Sequence, residues 1–121
     1  MTTIVNLRAL GLLGVVALLF SAAAASSSTA AASFDCRNAS LPAEKRICAD
    51  ANLASLDERT AGMYFVIVGS GAPAATVARV KQMQSRFIGR RNACQANTDC
   101  LVDAYTDQMM FLRNEKSTLG L

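Results

Sequence analysis

Four cysteines constrain this 121-residue chain more than any other feature. They are Cys36, Cys48, Cys94 and Cys100, and an even number of cysteines in a short exported chain is typical of a disulfide framework. Eleven residues separate the first two cysteines and five separate the last two. These spacings do not fit the close cysteine pairs of a zinc site or the C-x-x-C motif of a redox site. We therefore predict that all four cysteines form structural disulfides.

Residues 1–32 have the pattern of a secretory signal peptide. One cation, Arg8, precedes an apolar run at 9–20, and small residues with A-x-A sites at 22–24 and 30–32 follow it. The apolar run is shorter than the roughly 20 residues that a membrane-spanning helix needs. The pattern therefore predicts a leader that is removed, and an uncleaved anchor, extended by the alanines, is the alternative.

We expect cleavage near residues 24–32. Cleavage near Ala32 would leave residues 33–121 as one small domain in the periplasm or outside the cell, with no stable membrane span. The chain has 12 basic and 9 acidic residues, and Arg8 is the only charged residue of the leader. The remaining domain therefore carries a net charge of +2. This charge is too small to indicate nucleic acid as a partner.

The hydrophobic pattern predicts an all-α fold, a small disulfide-stapled bundle of about four helices. Apolar side chains recur at steps of three and four residues, and no stretch alternates with a period of two. Gly89 is either a weak point in the third helix or a site where another helix approaches closely. We expect three helices over 42–49, 53–68 and 74–93. A fourth helix should begin at a cap formed by Thr98 or Asp99 and end near Lys116, and we expect residues 117–121 to fray.

The glycine-rich segment 69–73 indicates a short turn between two antiparallel helices. Such a hairpin places the start of the second helix beside the end of the third, so all four cysteines gather at one pole. Four cysteines allow three pairings. We favour Cys36–Cys48 and Cys94–Cys100 because both close short local loops, whereas crossed pairing would close longer ones.

Two charged residues fall on the apolar stripes of this hairpin, Asp57 on the second helix and Arg91 on the third. Buried carboxylates and guanidinium groups need partners, and the hairpin places both residues near the same pole. We predict a structural ion pair between them, and Arg90 is either solvent-facing or an alternative partner of Asp57. The functional alternative is a carboxylate that binds a ligand or transfers protons. Tyr105 is interpreted as a core aromatic whose hydroxyl reaches water.

The sequence predicts that the protein is not an enzyme. It contains no histidine, which excludes Ser-His-Asp and Cys-His catalysis and histidine metal sites. The apolar stripes offer one acid, whereas glycoside hydrolysis uses a facing pair of carboxylates. No glycine-rich phosphate loop follows a strand. We therefore predict no catalytic residue, no cofactor and no metal site.

Five short segments of the chain together resemble the LprI-like lysozyme-inhibitor family, a group of small exported bacterial domains. The matching segments are FDC at 34–36, EKRIC at 44–48, L-x-x-LD at 53–57 with Tyr64 downstream, RRNAC at 90–94 and CL-x-x-AY at 100–105. The resemblance covers about residues 34–113, nearly the whole predicted domain. The chain departs from the family at Phe87, where tryptophan is usual, and at 106–108, where arginine is frequent.

The resemblance implies a helical domain in the periplasm or outside the cell that binds a protein partner. The activity that it implies is inhibition of lysozyme, with lysozyme as the partner. It supplies no set of inhibitory residues that carries over to this chain. The alternative is a structural or protein-interaction domain of the cell envelope that does not inhibit lysozyme.

Overall fold

The structure is a computed structural model, and it describes residues 32–121. The predicted signal peptide lies outside the described residues except for Ala32. A short 3₁₀ turn and four α-helices make up the described part, which contains no strand, so the prediction of a small all-α fold is confirmed. The elements are the 3₁₀ turn (Cys36–Asn38), α1 (Pro42–Ala49), α2 (Ala51–Val68), α3 (Ala74–Ala93) and α4 (Thr98–Leu119).

Local capping explains where the first two helices begin. Pro42 occupies the first turn of α1, where its missing N–H costs nothing. The Glu44 carboxylate accepts hydrogen bonds from the backbone N–H groups of Ser40 and Leu41, at 2.9 and 3.1 Å. The carboxylate of Asp50 accepts from two N–H groups in the first turn of α2. Because Asp50 is the cap, α2 starts at Ala51, two residues earlier than expected.

The bounds of α4 differ from the predicted ones at both ends. Its N-terminal cap is Asn97, whose side chain accepts from the Cys100 N–H at 3.0 Å, and neither Thr98 nor Asp99 has this role. The helix also continues past Lys116 to Leu119, where the predicted fraying was wrong. Gly120 ends it with a left-handed φ of 71°, a conformation that glycine adopts without steric cost.

The core lies between α2, α3 and α4, with α1 packed over α2 and α3 at the disulfide end. One cluster of buried side chains lies near that end and includes Ala43, Ile47, Leu53, Phe87, Leu101, Ala104 and Tyr105. A second cluster, nearer the turn between α2 and α3, consists of Ile67, Val80 and Leu112. Leu119 packs against this second cluster, which explains why the last turn of α4 stays helical. Each fully buried leucine, isoleucine or phenylalanine contributes about 1.5–3 kcal/mol of transfer free energy.

Candidate functional site

The two disulfides lie at one pole of the bundle, as the helical hairpin predicts. The side chain of Arg46, near the end of α1, donates a 2.8 Å hydrogen bond from Nε to the Thr98 hydroxyl at the start of α4. This contact places the first disulfide beside the second. The structure contains both of the favoured pairs, Cys36–Cys48 and Cys94–Cys100.

The Asp57 side chain is buried at this pole, with 3% of its residue surface exposed. Its Oδ1 atom accepts a 2.7 Å hydrogen bond from the Tyr105 hydroxyl on α4. Its Oδ2 atom accepts a 2.6 Å hydrogen bond from the backbone N–H of Ser33. Both carboxylate oxygens therefore have partners inside the protein, as a buried carboxylate requires.

Arg91 lies beside Asp57 but does not form a direct hydrogen bond with it. The distance from Arg91 Nη1 to Asp57 Oδ1 is 3.6 Å, and both side chains are nearly inaccessible to solvent. At this distance the contact is electrostatic. The Arg91 guanidinium instead donates to Asn92 Oδ1, at 2.9 and 3.1 Å, and lies 5.6 Å from the centre of the Phe34 ring. The structure thus brings the two predicted partners together through a charge contact.

Arg90, the alternative partner predicted for Asp57, points elsewhere. Its side chain is half exposed, and Nη1 lies 3.9 Å from Oδ2 of Asp107 on α4. A surface pair of this kind contributes at most about 1 kcal/mol to stability. Of the two interpretations of Arg90, the solvent-facing one agrees with the structure, and Arg90 is not the partner of Asp57.

The prediction that the Tyr105 hydroxyl reaches water was also wrong. Tyr105 is completely buried, and its ring packs edge to face against Phe87 with 5.2 Å between ring centres. Burial and the hydrogen bond to the Asp57 carboxylate raise the pKa of Tyr105 well above its ordinary value. The sequence signal for this bond was available, since Asp57 and Tyr105 lie on the apolar stripes of two helices that meet at the same pole.

A second feature, which the sequence reasoning missed, is an open groove between α2 and α4. Its volume is about 270 Å³. We call it the α2–α4 groove; its lining residues are Arg59, Gly62, Met63, Val66, Met109, Arg113 and Lys116. Val66 is 47% exposed, and a Cβ atom added at Gly62 would meet no other group of residues 32–121 within 4 Å. The groove is small and open compared with the pockets of about 300–1,000 Å³ that enclose small ligands.

The α2–α4 groove combines an apolar floor with a cationic border. Met63, Val66 and Met109 supply the apolar surface. The border consists of Arg59, Arg113 and Lys116, and none of the three forms an ion pair within residues 32–121. An unpaired group of cations beside an apolar surface attracts negatively charged partners.

The exposed face of α4 carries the opposite charge. Asp99, Asp103 and Asp107 follow one another at four-residue steps, which places them on one side of the helix. All three are exposed, and among the described residues Asp107 alone of the three forms an ion pair, with Arg90. We call this set the α4 acidic stripe. The same helix therefore presents cations at the groove and carboxylates on its outer face.

Comparison of the chain with family models, with curated proteins and with solved structures finds no match. No helix of the described part is long and apolar enough to cross a membrane. Within residues 32–121, no three or more histidine, cysteine or carboxylate side chains are grouped so that they could hold a metal ion. The features with the chemistry of a site are the buried Asp57 network, the α2–α4 groove and the α4 acidic stripe.

Proposed function

We propose that this protein is an exported, disulfide-stabilised helical module that binds another protein through the α2–α4 groove. The observation that carries the proposal is the groove itself, whose apolar floor includes the exposed Val66 and the buried Met109. Its border is three cations that form no ion pair within residues 32–121. Methionine side chains adapt to varied apolar partners, and arginine is enriched at the energetic centres of interfaces. Export is supported by the leader pattern and by the two disulfides, which persist in oxidising compartments.

The chemistry of the groove defines the kind of partner. Its length along two helices suits a segment that presents a few apolar side chains in a row, such as one face of an amphipathic helix. Its border of Arg59, Arg113 and Lys116 requires carboxylates on either side of those apolar side chains. The proposed occupant is therefore an acidic amphipathic helix of a partner protein.

A designed peptide tests this proposal without knowledge of the natural partner. The probe is a helical peptide with leucines at positions i, i+3, i+4 and i+7 and glutamates on both flanks, and its control replaces every glutamate by lysine. We expect the protein to bind the glutamate peptide and not the lysine peptide. The affinity for the glutamate peptide should fall as the salt concentration rises. Equal affinity for the two peptides, or no binding of either, would contradict the proposal.

The chain offers a matched pair of variants for the same measurement. A leucine at Gly62 would project into the α2–α4 groove, whereas a leucine at Gly89 would project from α3 into open space. We expect Gly62→Leu to weaken binding of the glutamate peptide by about tenfold or more, which is about 1.4 kcal/mol. Gly89→Leu should leave the affinity unchanged. Isothermal titration calorimetry measures the affinity of both variants for the glutamate peptide. If both lose affinity equally, the peptide does not bind in the α2–α4 groove.

Inhibition of lysozyme is the second candidate function. It is supported by the motif resemblance and, independently, by the α4 acidic stripe, because lysozymes of the common type are strongly basic. Under this hypothesis lysozyme contacts the outer face of α4 and the groove is not its binding surface. The remaining alternative is a structural or protein-interaction domain of the envelope that does not inhibit lysozyme.

A lysis assay of bacterial cell walls tests inhibition directly. The oxidised, exported protein is added to lysozyme in stoichiometric excess, and undiminished lysis would rule out the lysozyme hypothesis. Asp103→Asn removes one carboxylate from the stripe, and Glu58→Gln removes one exposed carboxylate from α2 as its control. We expect the first variant to inhibit less than the second, most clearly at low salt.

We propose no catalytic role for Asp57. Its two oxygens accept hydrogen bonds from Tyr105 and Ser33, and the side chain is almost inaccessible to a substrate. The structural role, that of a buried carboxylate joining several elements, accounts for these contacts.

A further inference from the structure

We propose that removal of the leader after Ala32 creates an ion pair inside the protein, in which the new α-amino group of Ser33 binds the buried Asp57 carboxylate. The nitrogen atom of Ser33 lies 2.6 Å from Asp57 Oδ2. The bond that joins this nitrogen to Ala32 directly follows the A-x-A site at 30–32. The inference rests on the proposed export of the chain and is independent of what occupies the α2–α4 groove.

The processing step is a hydrolysis. Water adds across the peptide bond, catalysed by a leader peptidase, and the C–N bond between Ala32 and Ser33 breaks. The Ala32 carbonyl carbon gains the oxygen and leaves as the carboxylate of the leader. The Ser33 nitrogen becomes a primary amine, and it takes up a proton because α-amino groups have pKa values of about 7.7–8.0. A neutral N–H donor thus becomes an ammonium group at the same place.

The surroundings of Asp57 are suited to this ammonium group. Oδ1 accepts from the Tyr105 hydroxyl, and the one donor to Oδ2 within the described residues is the Ser33 nitrogen. The Asp57 carboxylate is the acceptor before and after cleavage, whereas the donor gains a full positive charge, so a charge–charge attraction adds to the hydrogen bond. Cleavage would therefore strengthen a contact that links the N-terminal segment to α2.

The charges of neighbouring elements are consistent with an additional cation. On α3, Arg91 faces Oδ1 of Asp57 at 3.6 Å and is the one cation of the network. On α1, the partly exposed Glu44 carboxylate accepts hydrogen bonds from the Ser40 and Leu41 N–H groups, which chiefly lower its pKa, and the charge of Arg91 lowers that pKa further. Within residues 32–121, the buried charged groups of this network are the Asp57 carboxylate and the Arg91 guanidinium, beside the Tyr105 hydroxyl. The ammonium group of Ser33 would lie on Oδ2 of Asp57, whereas Arg91 faces Oδ1.

The ion pair would raise the pKa of the Ser33 amine in the folded protein. An opposite charge at this distance typically raises such a pKa by about one or more. Because the folded-state pKa is raised, the pair stabilises the fold fully below the ordinary pKa of about 8. The contribution is lost as pH rises through the raised value.

The test begins with the full chain, expressed with its own leader in a bacterial host that exports it. Mass spectrometry of the exported protein identifies its first residue, which we expect to be Ser33. The purified protein is then treated with a limiting amine-acylating reagent at pH 7, where the neutral amine is the reactive form. We expect the Ser33 amine to react at least about tenfold more slowly in the folded protein than in the same protein unfolded in urea, which is the effect of a pKa raised by one.

Asp57→Asn gives a second comparison, since asparagine is uncharged and the Ser33 amine should then react at its ordinary rate. The urea comparison uses the unaltered protein, so the test stands even if this variant fails to fold. A retained leader would overturn both this inference and the proposed export. Cleavage at another residue, or a Ser33 amine that reacts equally fast in the folded and unfolded protein, would overturn this inference alone.

Discussion

The Tyr105 hydroxyl donates a 2.7 Å hydrogen bond to Oδ1 of Asp57 across 48 residues of sequence, and neither side chain is accessible to solvent. This bond joins α4 to α2 inside the cluster of buried side chains at the disulfide pole. A carboxylate placed there without donors would cost several kcal/mol. The bond therefore fixes how far α4 can slide along α2, since any other register leaves Asp57 without its partner.

Tyr105→Phe should lower the free energy of unfolding by about 1–3 kcal/mol, because the ring is kept while a buried acceptor loses its donor. Urea denaturation measures the change. Tyr64→Phe is the control, since Tyr64 is only partly buried and its hydroxyl has no hydrogen-bond partner in the part of the chain that the structure describes. If the two substitutions lower the free energy of unfolding equally, the hydrogen bond from Tyr105 to Asp57 makes no specific contribution to stability.

The stability difference between the unaltered protein and Tyr105→Phe should shrink at alkaline pH. Burial and the Asp57 carboxylate raise the pKa of Tyr105 in the folded state, while an unfolded tyrosine ionises at about pH 10. Above pH 10 the unfolded chain therefore loses a proton that the folded protein keeps. The unaltered protein loses stability by up to about 1.4 kcal/mol per pH unit from this residue, and the phenylalanine variant does not. Urea denaturation of both proteins from pH 8 to 11 checks this; a constant difference would contradict it.

The sequence predicted the helices well where strong local signals end them. The 74–93 helix matches its predicted bounds because Pro73 precedes it and the Cys94–Cys100 turn follows. The end of α4 was predicted less well. The packing of Leu119 against residues of α2 and α3 keeps that turn helical, and such a contact has no local signal.

The candidate site was also predictable only where the sequence carries a local signal. The closeness of Asp57 and Arg91 could be predicted, because helical periodicity places both on facing apolar stripes. The Ser33 contact could not, because its donor is a backbone N–H that any residue provides. The α2–α4 groove was equally hidden: Met63 and Met109 come from helices far apart in sequence, and only their packing shows that they share a surface.

Removing either disulfide should lower the free energy of unfolding, and the two losses should differ in size. Cys36–Cys48 closes a loop with a sequence separation of 12 residues, and Cys94–Cys100 one of 6 residues. Loop-closure entropy then predicts losses of about 3 kcal/mol for Cys36→Ser with Cys48→Ser, and about 2 kcal/mol for Cys94→Ser with Cys100→Ser. Urea denaturation of the two double variants measures both. A larger loss from the second pair would show that the loop 95–99 contributes more than chain entropy.

Gly62→Ala and Gly89→Ala should each stabilise the protein by up to about 1 kcal/mol. Both glycines lie inside helices, where alanine is favoured by about this amount. A Cβ atom at either position would meet no other group within 4 Å. Among the described residues no other helix approaches Gly89 closely, so Gly89 is interpreted as a weak point of α3.

Gly120→Ala is the control for these substitutions, because Gly120 also has open space around its Cβ position but has a φ of 71°. Alanine is strained in that left-handed conformation by roughly 1 kcal/mol, so this variant should be less stable than the unaltered protein. Thermal and urea denaturation measure all three. If Gly62→Ala is destabilising while Gly89→Ala is stabilising, the α2–α4 groove is closed at Gly62, and its role as a binding surface would have to be abandoned.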